Sequence, residues 1–597
     1  MRHFATTIAI IITSVIVFES CKKTSAPDTG TPNTPTAPVV ISTGVGTGPG
    51  GAIVTGTDPA IAATQGFFLN NWSAKTFTVP TNAVSTTKPS GNGSNAVSVV
   101  VDLSQVITKV STNLYGNNTN PYMGQYVTDA VLMNNLKGLN PHILRAPGGS
   151  LSDVYFWNGD GNGNLAAPVD APANLLNNAG ASSAAYYWFG NNTQSWTFSL
   201  ANYYSVLQQT NSKGLITVNY GYARYGTSPH PDQVAAHLAA NWVRYDAGRT
   251  QYWEVGNENY GNWEAGYRID QTQNKDGQPA VITGTLYGTH FKVFADSMRK
   301  AAAEVGNTNI KIGIVLSTLN DANNNAGVSN WNSGVLAAAG NYPDFFVVHN
   351  YYTPFAQNSD AATILGTSAP QTTQMMQWIK TSVQNAGVIQ KPVALDEWNI
   401  QAIGSDQAVS NIAGVHAAMV MGEALKNQIS LACRWDLANG WGNGDDQGIF
   451  NLGDEPGTVA MWNPRPAFYY LNCFQTYFGD RMVSSTSSSP YIVSYGSSFS
   501  SGQAGVVLVN QGSVAQVVNV AFNNFNIGTN YYYYTLSGGT DNAPFSRQVF
   551  VNGVGPSNGI SGGPSNYAAI PAKSAAVSGG ITVSIPANSA VFLVADK

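Results

Sequence analysis

Glu258 sits inside QYWEVGNENYGNW (residues 251–263), where apolar and aromatic residues run into Gly256, an Asn257-Glu258 pair follows, and further aromatics close the stretch. A carboxyl in such surroundings is poorly solvated, so its neutral form is favoured and its pKa is expected to rise. A general acid working near neutral pH requires that shift. Taken alone, the motif also fits an ordinary Asn-Glu turn. A second carboxylate decides between the two: KPVALDEWN (residues 391–399) is a short apolar run that ends in Glu397 and Trp398. Two carboxylates, each closing a strand-like run, are the equipment of double displacement at a glycosidic bond, one as acid/base and one as nucleophile.

These residues need elements that bring them together across a long stretch of chain. Strand-like runs occur at 113–116, 142–146, 215–220, 252–255, 310–315, 345–351, 393–396 and 430–435, and helix-like stretches at 234–245, 290–305, 372–385 and 411–427 lie between them. Strands alternating with helices predict an α/β protein built on a (β/α)8 TIM barrel, whose chemistry sits on the loops after the strands' carboxyl ends. Glu258 then follows the fourth strand and Glu397 ends the seventh; the first two strands carry the weakest pattern. From residue 464 to 597 short alternating runs separated by turn residues predict an appended antiparallel β-sandwich. A further strand pattern at 95–110 is expected to join that sandwich, which places the catalytic barrel at 111–463. Residues 21–94 read as a flexible Thr/Pro/Gly/Ser-rich tether and lead-in, with a short ordered piece at 67–72 as the exception.

Composition narrows the partners. Of 597 residues only 10% are charged, against about 25% in an average protein. Neutral polar groups and aromatics fill the surface instead, which suits sugars with their hydroxyls and apolar ring faces. The net charge is −5, and with no Lys/Arg cluster nucleic acid is excluded as a partner. Residues 1–20 begin with Arg2 and His3 and carry an apolar run at 8–18, too short for a membrane span and readable as a signal peptide. The Ser20-Cys21 junction resembles the bacterial lipoprotein cleavage box, which implies lipidation of Cys21 and an exported lipoprotein of the cell envelope that meets the membrane through its anchor only. An ordinary signal peptide with an incidental cysteine is the alternative. Cys433 and Cys473 suggest buried thiols rather than a disulfide framework. No spacing of ligand residues indicates a metal, the acidic stretch 443–446 reads as a solvated turn rather than a Ca²⁺ loop, and no cofactor is expected.

WEVGNE, DEW, LRAPGGS (residues 144–150) and HNYY (349–352) together resemble glycoside hydrolase clan A, and within it the family 51 α-L-arabinofuranosidases and their relatives, over about residues 100–597. The resemblance implies retention of configuration through a covalent glycosyl-enzyme, with Glu258 as acid/base and Glu397 as nucleophile. It further implies that Asn257 holds the sugar 2-hydroxyl and that Arg145 faces the nucleophile and keeps it ionised; a structural ion pair is the other reading of Arg145. His349 and Tyr351 are two apart on a strand and share a face, so both are expected at the site mouth, although His349 alone would fit a core position. Trp435 is expected either to stack on a sugar face or to pack in the core, and Trp398 to pack on the opposite side of its strand. Two positions depart from the family: Ala146 and Ser150 stand where the relatives carry an aromatic and an asparagine. A different sugar, or a chain running through the site, would fit that edge. The long insertion at about 160–196 needs either a functional role, such as lining extended subsites, or disorder to explain it. The overall expectation is a retaining glycosidase acting on plant-type polysaccharide or oligosaccharide, arabinofuranosidase-like. An endo-acting glucanase or xylanase and a non-catalytic glycan-binding lipoprotein are the alternatives.

Overall fold

The computed structural model describes residues 52–89, 96–125, 128–318, 330–442 and 446–597. The leader, Cys21 and most of the acidic stretch 443–446 lie outside them. Eight parallel strands close into a barrel: Gly116–Asn118, Ile143–Ala146, Lys213–Val218, Tyr252–Val255, Lys311–Val315, Phe345–Tyr351, Val393–Asn399 and Leu431–Arg434. Helices cover the outside, so the strands are buried on both faces, and near-continuous apolar runs such as FFVV and VAL satisfy both at once. The fourth and sixth strands fall where the sequence pattern placed them. The first begins later than expected, at Gly116, because residues 112–114 form a 3-10 turn capped by Ser111.

The seventh strand carries the irregularity that matters most. Val348 pairs with Leu395, but His349 pairs with Glu397, so Asp396 is an extra residue. Successive residues on a regular strand face opposite ways; a bulge re-aims them. Here it lets both Asp396 and Glu397 turn toward the barrel interior.

Two boundaries and one strand direction differ from the sequence reading. The lead-in is ordered where it is described: Gly66–Leu69 is a 3-10 helix, and Phe68 is fully buried against Tyr252 and Phe345 at the amino ends of their strands. Gln65 donates to Thr108 and Ser430, and Thr64 accepts from Val393 N–H. Three consecutive apolar residues have no period to read; tertiary contact alone orders them. The barrel also runs past residue 463, because helix Pro466–Tyr477 packs beside Asn411–Lys426 as its last helix. Pro466 reads as a break in sequence, yet proline suits the first helical turn. Finally, the carboxyl-terminal domain is one eleven-stranded ladder around its own apolar core. Val97–Lys109 lies within it, antiparallel to Arg481–Ser487 but parallel to Gln516–Asn523, so the domain is not purely antiparallel.

The insertion is built rather than disordered. It forms the hairpin Asn174–Leu176 with Ser182–Ala184, and Trp188–Phe189 pairs with Tyr155–Phe156. Cys433 and Cys473 are buried free thiols. Among the described residues no helix is long and apolar enough to cross a membrane.

Candidate active site

Arg145, at the end of the second strand, is completely buried and organises the carboxyl end of the barrel. Its Nε and Nη2 donate to the two oxygens of Glu254 at 2.8 and 3.1 Å, Nη1 to Asn118 and to Glu397 Oε2 at 2.9 Å each, and Nη2 to Asn257 Oδ1 at 2.8 Å. A guanidinium has five N–H donors, and all five are engaged by the protein. Arg145 faces Glu397, as the resemblance implied, and has no donor left for a ligand, so it acts as a clamp on the site and is not itself a substrate-binding residue. The clamp gathers side chains from the first, second, fourth and seventh strands.

Glu397 is held through both oxygens, Oε2 by Arg145 and Oε1 by the Tyr351 hydroxyl at 2.8 Å. Glu258 follows the fourth strand at φ +41°, a region that non-glycine residues rarely occupy. The carboxylate of Asp153 braces this turn: Oδ2 accepts from Asn257 N–H and Asn259 Nδ2, while Oδ1 accepts from the backbone of Tyr220 and Gly221. Glu258 Oε1 accepts from Tyr260 at 2.9 Å and Oε2 from Trp263 Nε1 at 3.2 Å. Trp263 lies along Gly261, where a Cβ would come within 2.4 Å of the indole, and is 57% exposed.

His349 stands between the two glutamates, its Nδ1 3.1 Å from Glu258 Oε1 and 3.8 Å from Glu397 Oε2. Laid end to end, those distances put the two carboxylate oxygens at most 6.9 Å apart. Its Nε2 is 3.3 Å from Asp396. These contacts are not aligned as hydrogen bonds, so they act through charge. His349 and Tyr351 thus share one face of their strand, as their spacing implied.

The charges set the protonation. Burial disfavours charge on His349, but Glu397, Asp396 and Glu258 outweigh it and raise its pKa well above the ordinary value. Burial would likewise raise Glu258, yet the nearby His349 and the donors Tyr260 and Trp263 hold it below the usual range. Burial raises Glu397 against the pull of His349 and Arg145. The upward shift expected for Glu258 is therefore reversed in the resting site, because its surroundings are aromatic but supply donors and a cation. The two glutamates and His349 titrate together, with a proton resting on the imidazole between them.

Sequence reasoning passed over Glu254, Asp396, Asp153, Glu264 and Asn118. Glu254, buried and pushed up to about 7 by burial despite Arg145, had a signal: a carboxylate inside the apolar run YWEV must be paired. Glu254, His349 and Asp396 offer atoms within 4.8 Å of one another, as a cation site would, but the Arg145 guanidinium already supplies the positive charge there, 2.8 Å from Glu254 and 3.7 Å from Asp396. Trp435 is half-buried at the end of the eighth strand, its ring against Gly148 and Gly149; a Cβ at Gly149 would approach it to 2.5 Å. The glycine pair of LRAPGGS makes room for this indole. Trp398 is buried in the layer between barrel and helices, beside Leu114, Leu139 and Met421.

No family model and no curated protein matches the chain. Solved structures do. The α-L-arabinofuranosidase of Thermotoga maritima, in complex with arabinose, matches with a TM-score of 0.58 and 18% identity over 84% of this chain and 99% of its own. The GH51 α-L-arabinofuranosidase of Thermotoga petrophila RKU-1 gives 0.59 and 18% over 84% and 100%. CelM2, a bifunctional glucanase-xylanase from a metagenome library, gives 0.54 and 13% over 84% and 99%. The chain shares the fold of these glycoside hydrolases, a (β/α)8 barrel with an attached β-domain.

Proposed function

We propose that the protein is a retaining glycoside hydrolase in which Glu397 is the nucleophile and Glu258 the acid/base. One observation carries this reading: two carboxyl groups face one site with oxygens at most 6.9 Å apart, Glu397 paired with a buried guanidinium and Glu258 nearer to solvent. That bound spans the roughly 5–5.5 Å of retaining enzymes and overlaps the lower edge of the roughly 6.5–9.5 Å of inverting ones, and the motif resemblance to clan A supports retention. Glu397, oriented by Arg145 and Tyr351, attacks the anomeric carbon as Glu258 gives a proton to the departing glycosidic oxygen. The proton that Glu258 gives comes from His349, 3.1 Å away in the resting site, and passes to Glu258 before the bond breaks; the proton later taken from water returns to His349. The bond from sugar to leaving group breaks, and an ester to Glu397 forms. Glu258, now a base, takes a proton from water, which displaces Glu397 and releases the sugar with its configuration retained.

The substrate class in this reading is plant-type polysaccharide or oligosaccharide, with an arabinofuranoside-like glycone; the fold shared with arabinofuranosidases and the mostly uncharged surface support it. The reading also includes an exported lipoprotein anchored through Cys21, on the sequence alone. The test is Glu258→Ala with an activated aryl glycoside. Such a leaving group needs little protonation, so the glycosyl-enzyme still forms and accumulates, and added azide restores turnover as a glycosyl azide of retained configuration. An inverted azide product would exchange the two roles, and uniform loss without rescue would leave Glu258 a structural residue.

A further inference from the structure

Beside Asn257 lies a third carboxyl group that the reaction above does not use. Glu264 is 3% exposed and belongs to the loop that carries Glu258. Its Oε1 accepts from Asn257 Nδ2 at 3.0 Å and from the Ser150 hydroxyl at 2.8 Å, and its Oε2 is buried without a partner. We propose that Glu264 is a positioning residue, the group that fixes the side-chain amide of Asn257 for a hydroxyl of the bound sugar. The inference rests on the glycosidase reading and goes beyond it.

The geometry leaves Asn257 one orientation. Arg145 can only donate, so the amide oxygen must face Nη2; the amide nitrogen must then find an acceptor, and Glu264 Oε1 is that acceptor. One of the two Nδ2 hydrogens is used, and the second has no acceptor among the described residues. Without Glu264 the amide keeps its contact to Arg145 but can tilt about it. Ser150 is exposed and spends its hydroxyl on Glu264, so the departure from the family at position 150 serves this carboxyl.

Glu264 does this as a neutral acid. The titratable groups facing it are Asp153 and Glu258, both acidic, and no cation touches it; burial together with these two raises its pKa well above the usual carboxylate range, against donation from Ser150 and Asn257. A buried carboxylate with one bare oxygen is costly, and a proton on Oε2 removes the charge while leaving Oε1 free to accept. Glutamine reproduces that arrangement: its Oε1 accepts from both partners and its Nε2 replaces the protonated oxygen. Methionine keeps the volume and removes the acceptor.

The experiment compares wild type, Glu264→Gln and Glu264→Met on one activated glycoside and on its 2-deoxy counterpart. With the 2-hydroxyl present, the Met variant is expected to lose about 10- to 100-fold in kcat with KM changed less than about threefold, since contacts to that hydroxyl strengthen in the transition state. On the 2-deoxy substrate the loss shrinks to about threefold or less, and the Gln variant stays near wild type on both. Equal losses on the two substrates, or no loss at all, overturn the inference and leave the glycosidase reading standing. A wild type inert on every glycoside overturns both. If the Met protein does not fold, Glu264→Ser, which admits water in place of the carboxyl, is taken through the same two substrates with the same outcomes.

Discussion

Replacing Arg145 with methionine separates what the clamp does by charge from what it does by hydrogen bonding. The variant leaves Asn118 and Asn257 with amide oxygens that lose a buried donor. Each orphaned acceptor costs about 1–3 kcal/mol, so about 2–6 kcal/mol is lost at any pH. The carboxylates add a part that depends on pH. Glu254 already titrates at about 7 with Arg145 in place, above its ordinary 4.5, so its burial costs stability as pH rises from 4.5 and reaches its full cost above 7. Without the guanidinium the folded pKa climbs further, and that cost keeps growing where the wild type has levelled off. The extra deficit is therefore near zero at about pH 5 and opens above 7, reaching about 1.4 kcal/mol per carboxyl at about pH 8. Glu254 alone brings the total to about 3–7 kcal/mol at pH 8, close to the whole stability of an ordinary domain. Urea unfolding of both proteins at about pH 5 and pH 8 measures it. A deficit identical at the two pH values would show that Arg145 acts by hydrogen bonding and not by charge, and wild-type stability at both would refute the clamp altogether.

Two further perturbations follow from single contacts. Gly261→Ala places a methyl in the indole of Trp263, which is free to swing away, so the thermal midpoint is expected to stay within a few degrees while kcat/KM falls about tenfold or more through the lost bond to Glu258; unchanged activity would show that this bond is idle. Cys21→Ser is expected to move the protein from the membrane pellet to the soluble exported fraction, and persistent pelleting would remove the lipid anchor from the account.

What could be read in the sequence divides along physical lines. The run Tyr252–Val255 and the helix starting at Asn411 were legible because apolar periodicity and neighbouring breakers act within a few residues. Glu258 and Glu397 were legible for the same reason, each sitting where a strand ends. Arg145 shows the limit: its strand end and its place facing Glu397 could be read, but its bonds to Glu254, Asn118 and Asn257 could not, because those partners meet only in the closed barrel. The pKa of Glu258 failed likewise, since its aromatic neighbours suggested dryness, whereas Tyr260 and Trp263 turn their donors toward it and His349 arrives from the sixth strand. Asp396 was passed over because alternation puts it opposite Glu397, and only the bulge brings both inside. Phe67 and Phe68 lacked any period and owe their order to the barrel floor.

The measurement that bears most directly on the central claim is the location of the covalent sugar. An activated glycoside with fluorine in place of the 2-hydroxyl slows both steps, and its good leaving group still allows the first, so a glycosyl-enzyme is expected to accumulate. Mass spectrometry of the digested protein should find one sugar, on the peptide carrying Glu397 and on that carboxyl. A label on Glu258, or none from a protein that turns the parent glycoside over with inversion, would contradict the account.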